Sequence, residues 1–133
     1  MDIRSLARNL AMNRMSFGAG LMLAPGLYAR TWIGAPARDE RVKVLARALG
    51  ARDLALGAGG LVALRAGDEQ RALQWFAAQG VSDAVDLAAT LAAGANVKLP
   101  ARIFAATIAA GSAGIAAAYV RAVASAAGER RPS

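Results

Sequence analysis

Residues 49–64, LGARDLALGAGGLVAL, decide the fold. The run is apolar except where Arg52 and Asp53 stand side by side, and Gly57, Gly59 and Gly60 thin it further. A helix on the surface of a soluble protein carries a polar face over such a length. LALGAGGLVAL carries none, so the segment reads as a membrane span, about 44–64, with an adjacent arginine and aspartate near its middle.

Working outward, three more segments read as spans. Residues 15–33, MSFGAGLMLAPGLYARTWI, run fifteen residues before Arg30, with Pro25 and Gly26 placed to bend the helix. Tyr28 and Trp32, one turn apart near the exit, fit interface anchors. Residues 73–93 are divided by Asp83 and Asp86 and are the least apolar of the set. Residues 102–122 are the cleanest: eighteen uncharged residues from 103 to 120 lie between Arg102 and Arg121, about 27 Å of helix against about 30 Å of hydrocarbon. Ahead of the first span, Ile3, Leu6, Ala7, Leu10 and Ala11 recur at helical spacing, with Arg4, Arg8 and Arg14 around the other faces. This predicts a short amphipathic segment lying at the interface.

The connections are short, which favours an up-down four-transmembrane-helix bundle, an all-α single domain over 1–133. Four spans put both termini on one side. Basic residues divide eight to seven between the two ends, and the basic termini lean that side to the cytoplasm. The expected location is therefore the cell membrane, multi-pass.

Composition excludes several functions. Cysteine and histidine are absent, which removes disulfides, thiol and imidazole catalysis and the usual zinc and haem ligand sets. No metal or other cofactor is expected. The charge of +7 comes from 16 Lys plus Arg against 9 Asp plus Glu. These cations bracket the apolar runs rather than form a stripe, so headgroup contact is expected and nucleic acid is not. Alanine and glycine supply much of the 56% apolar content, as close helix packing in lipid requires. In the last span Ala106, Ala110, Gly114 and Ala118, continued by Ala122 and Ala126, form a small-residue ladder for a neighbouring helix in the chain or in a homo-oligomer.

Buried charge is the one chemical feature. Antiparallel spans two and three bring Arg52 and Asp86 to nearly one depth, where pairing inside the bundle is expected. Gln79, Asp83, Asp86 and Thr90 repeat every three or four residues and face inward, with Trp75 and Ser82 beside them, while Gly57 and Gly60 on the Asp53 face make room for span three. One arginine faces three aspartates, a deficit of two charges that Arg47 and Arg30 could offset by turning inward. The network Arg52, Asp53, Gln79, Asp83, Asp86 and Thr90 suits a structural or interaction role. A proton- or cation-coupled transporter, an intramembrane lipid-binding module and a soluble helical bundle are the alternatives. No nucleophile, metal set or phosphate loop accompanies the aspartates, so an enzyme is not expected.

The stretch at 49–64, SDAVDLAA at 82–89 following Trp75, and Ala35-Pro36 before the second helix together resemble a class of small, uncharacterised four-helix integral membrane proteins of high-GC actinobacteria. The resemblance covers about residues 15–123. It implies a membrane location and brings no activity or ligand.

Overall fold

The computed structural model describes residues 2–33 and 38–129, apart from the side chains of 31–33, 104 and 127–129. Among the described residues every element is helical: α1 (Ile3–Leu23), α2 (Pro25–Ile33), α3 (Glu40–Ala66), α4 (Glu69–Ala92) and α5 (Leu99–Glu129), with a 3-10 turn at Gly94–Asn96.

Polar side chains start the helices where the sequence supplies them. The Asp2, Asp39 and Asp68 carboxylates accept the amides of Arg4, Arg41 and Arg71 at 3.2, 2.8 and 3.0 Å, satisfying donors that a helix start leaves free. Gly67 closes α3 at φ 68°, a left-handed cap that a side chain would strain. Pro100 sits in the first turn of α5, where its missing amide costs nothing.

The four long helices form an antiparallel bundle in which α1 packs most extensively on α3 and α4 on α5. Small residues set the first of these interfaces. A Cβ on Gly18 would stand 2.5 Å from the Gly50 carbonyl oxygen, and one on Gly57 would stand 2.6 Å from that of Ala11. The two backbones therefore touch at two points one heptad apart, with Ala7 and Ala11 fully buried between them. Phe76 of α4 and Tyr119 of α5 pack ring against ring, centroids 4.9 Å apart, in the core at one end.

Several expectations change here. Residues 3–14 do not form a separate interfacial segment: they are the first half of α1, and Ala7, Ala11 and Arg14 are buried within the bundle. The predicted first span, 15–33, is not one bent helix. The chain breaks at Ala24, φ −133°, immediately before Pro25, and α2 turns back so that the Tyr28 ring lies over Gly20. A straight helix would separate these residues by about 12 Å along its axis. Tyr28 thus packs on α1 and meets Phe17 edge to face. The Trp32 side chain and Ala35-Pro36 lie outside the described residues.

Gly57 faces α1, whereas Gly60 and Gly59 receive Gln79 and Trp75 of α4. The ladder on α5 points away from the other helices: Ala110, Gly114, Ala118 and Ala122 are exposed, and a Cβ on Gly114 would meet nothing. The face that packs is Ala109, Ser112, Ala116 and Tyr119. By length and hydropathy, one helix among the described residues qualifies as a membrane span, Leu99–Ala126.

Candidate functional site

Halfway along the bundle each long helix contributes one polar side chain to a common point. Arg14 of α1 donates through Nη1 to Asp53 Oδ1 of α3 at 2.8 Å and through Nη2 to Asp83 Oδ1 of α4. Ser112 of α5 donates to the other oxygen of Asp83. All four are at least nine-tenths buried. One turn along, Arg52 grips Asp86 with both terminal nitrogens, at 3.0 and 2.6 Å, and also reaches Asp53 Oδ1 at 3.1 Å. The groups form a chain of alternating sign: Asp86, Arg52, Asp53, Arg14, Asp83, then the Ser112 hydroxyl. Planar guanidinium forks suit this role because each can serve two carboxylates at once.

Arg14 is the residue that sequence reasoning placed elsewhere. It supplies the second cation, while Arg30 and Arg47 are exposed. Its place was recoverable from register, since Arg14 continues the Ala7 and Ala11 stripe and stands one turn before Gly18. With Arg14 counted, three carboxylates face two guanidiniums, a formal excess of one negative charge.

Gln79 and Thr90 flank this chain rather than join it. Gln79, with no exposed surface, donates to the Leu56 carbonyl at 3.0 Å and so ties α4 to α3. The Thr90 hydroxyl turns back onto the Asp86 carbonyl at 2.7 Å. Ser82 is partly buried, and its hydroxyl has no partner among the described residues. A second polar cluster closes one end of the bundle: Arg4 of α1 pairs with Glu69 of α4, which accepts the Tyr119 hydroxyl of α5 at 2.8 Å. About 15 Å of helix separates Arg4 from Arg14.

Above the central chain lies a cavity of about 550 Å³, within the 300–1,000 Å³ or so usual for small-molecule sites. Arg14, Asp53, Asp83, Asp86, Thr90 and Ser112 form its floor, and Leu10, Asn13, Phe17, Leu49, Leu87 and Ala109 its walls. Leu27, Tyr28 and Ile108, all exposed, also line it and mark its mouth, where α2 faces α5. The break before Pro25 makes this chamber, because an α2 continuing straight from α1 would leave that side without a wall. No group of three acidic residues among the described ones has metal-binding geometry.

Set against protein-family models, curated proteins and solved structures, the chain matches none of them.

Proposed function

We propose that this chain is a four-span integral membrane protein whose arginine–aspartate chain ties the helices together and floors a chamber for a small amphiphilic molecule. The observation that carries this reading is an inversion of polarity. The centre holds Arg14, Asp53, Gln79, Asp83 and Ser112. The outer surface carries Leu23, Leu27, Leu45, Val62, Val81, Val85, Leu99, Ile103 and Ile108. In water such a surface would be a standing aggregation site. In lipid it is the solvated face, and the polar groups are then confined to the interior.

The membrane assignment extends to helices that fall short on hydropathy. Part of the shortfall comes from residues that the bundle covers, Arg14 of α1, Asp53 of α3 and Gln79, Asp83 and Thr90 of α4. Arg4, Arg8, Asn9 and Asn13 of α1 and Arg41 and Arg47 of α3 are exposed and would sit toward the headgroups or at the chamber. With lipid outside, the chamber mouth at Leu27, Tyr28 and Ile108 opens toward acyl chains, so its occupant arrives from the bilayer. The ladder of Ala106, Ala110, Gly114 and Ala118 is then free for a second copy of the chain.

Carbonate washing of membranes tests the reading. The protein stays in the pellet and enters solution only with detergent; release by carbonate alone overturns it. Mass spectrometry of the detergent-purified protein then finds a co-purifying amphiphile that the Leu27→Trp variant, with its mouth narrowed, lacks.

A further inference from the structure

The chamber floor selects the charge of what it holds. Asp53 is only 6% exposed, and its two oxygens are treated unequally. Oδ1 receives Arg14 and both contacts from Arg52. Oδ2 receives no hydrogen bond among the described residues, and the carboxylate borders the chamber. The other two aspartates are fully engaged: Asp83 by Arg14 and Ser112, and Asp86 by the two-pronged grip of Arg52. An acceptor without a donor therefore stands in the floor of a largely apolar chamber, on an ionic chain that, with Arg52 behind it, sums to one negative charge.

A carboxylate oxygen that borders a chamber without a protein donor is open to a ligand, and a charge-assisted hydrogen bond is the strongest it can take. The walls restrict the ligand further. Leu10, Leu49 and Leu87 offer no polar contact to a hydrated metal ion and Asn13 is the neutral polar side chain among the walls, so such an ion would have to shed most of its water to enter. Phe17 and Tyr28, edge to face, add aromatic surface along which a hydrocarbon body can lie.

From these observations we infer that the chamber binds a lipophilic amine carrying one positive charge. The ammonium N–H donates to Asp53 Oδ2, and the hydrocarbon body lies along the walls toward Leu27 and Ile108. Binding brings the ionic groups to neutrality without removing a proton from the network. A lipophilic anion is disfavoured by the same excess charge. A neutral alcohol can donate a hydrogen bond but leaves the charge uncompensated. The inference rests on the chamber reading and adds the sign and the donor.

The test uses the full chain in phosphatidylcholine nanodiscs with radiolabelled N,N-dimethyldecylamine, which is protonated at pH 7, against empty nanodiscs. Saturable binding of about one amine per chain is expected, displaced by unlabelled amine and not by decanoate. Decyltrimethylammonium, equally charged but without an N–H, competes more weakly. Asp53→Asn lowers amine affinity at least about tenfold, the effect of losing one hydrogen bond to a charged group. Leu27→Trp, which leaves the ionic chain untouched, blocks binding and serves if Asp53→Asn does not fold. Val85→Trp, on the outer face of α4, binds as the parent does.

Amine binding no tighter than decanol, or undiminished in a folded Asp53→Asn, overturns the inference. If decanol binds as tightly as the amine and Leu27→Trp excludes both, the chamber stands and its preference for a cation falls. If no probe binds above the level seen in Leu27→Trp, the chamber reading falls with it.

Discussion

Arg14 joins Asp53 and Asp83 across the bundle, so a single guanidinium on α1 holds α3 and α4 together. The cation and both carboxylates are buried to the same degree, their side chains retaining 7% and 8% of their exposure. Removing the cation leaves Asp83 with the Ser112 hydroxyl and no cation, and Asp53 with Arg52 alone. Arg14→Met should therefore cost about 3–5 kcal/mol of stability, the cost of breaking a buried pair. Arg14→Lys should fall between the two, since one ammonium cannot span both acids. Thermal unfolding in one detergent, with far-UV circular dichroism confirming helix content, measures both.

The Arg52–Asp86 pair is partly exposed and should matter less. A double-mutant cycle of Arg52→Ala and Asp86→Ala is expected to give a coupling energy below about 2 kcal/mol, the range found for polar contacts between helices in membranes. A coupling that exceeds the loss from Arg14→Met would shift the centre of the network from α1 to α3.

Glycine positions separate into two groups with opposite outcomes. Gly18→Ala and Gly57→Ala place a methyl against a facing backbone oxygen, which cannot yield as a side chain can. Each should lose about 1–3 kcal/mol. Gly111→Ala meets nothing within 4 Å and should gain up to about 1 kcal/mol through helix propensity. Melting temperatures of the three variants order them directly.

Absence of cysteine from the sequence makes single-cysteine labelling clean. Val85→Cys and Ile108→Cys lie on the outer surface. In membranes both should resist a water-soluble maleimide, since a thiol in hydrocarbon does not ionise. Arg38→Cys, in the exposed turn before α3, should react readily. Equal labelling of all three in membranes would contradict lipid on the α4 and α5 faces.

Tyr28 and Gly20 give a test of the chamber wall. Gly20→Val puts branched carbon where the Tyr28 ring lies and should swing α2 away from α1. With that wall displaced, mass spectrometry of the detergent-purified Gly20→Val variant should find less of the co-purifying amphiphile, with far-UV circular dichroism confirming that helix content is kept.

Much of this architecture was written in local pattern. The apolar runs placed the long helices, and the aspartate caps and Gly67 stop that the structure shows act over the same range, within a turn or two. Depth arithmetic on two antiparallel helices put Arg52 and Asp86 at one level, where they are in contact. Non-local choices were harder to read. Arg14 lies 39 residues from Asp53 and 69 from Asp83, and only the register of α1 against α3 brings them together. Which face of α5 packs within the chain was hard to read for a related reason. Both faces of that helix are lined with small residues, and Ser112 and Tyr119, each with a partner elsewhere in the chain, decide which face turns inward. The fold of α2 was illegible because proline specifies that a helix breaks and leaves the new direction to packing on Gly20.

The distance in sequence between Arg14 and its partners bears on how the protein is made. Helix α1 is made before α3 and, if the helices span a bilayer as proposed, carries a cation that would cost about 2.5–3.5 kcal/mol at its centre. The nearest carboxylate it will contact has yet to be translated. Helix α3 has no such difficulty, since Arg52 and Asp53 neutralise each other as neighbours from the outset. On the four-span reading proposed above, the first helix would wait at the site of insertion, or at the lipid boundary, until the third arrives, and α1 and α3 would enter the membrane as one hairpin with their backbones already in contact.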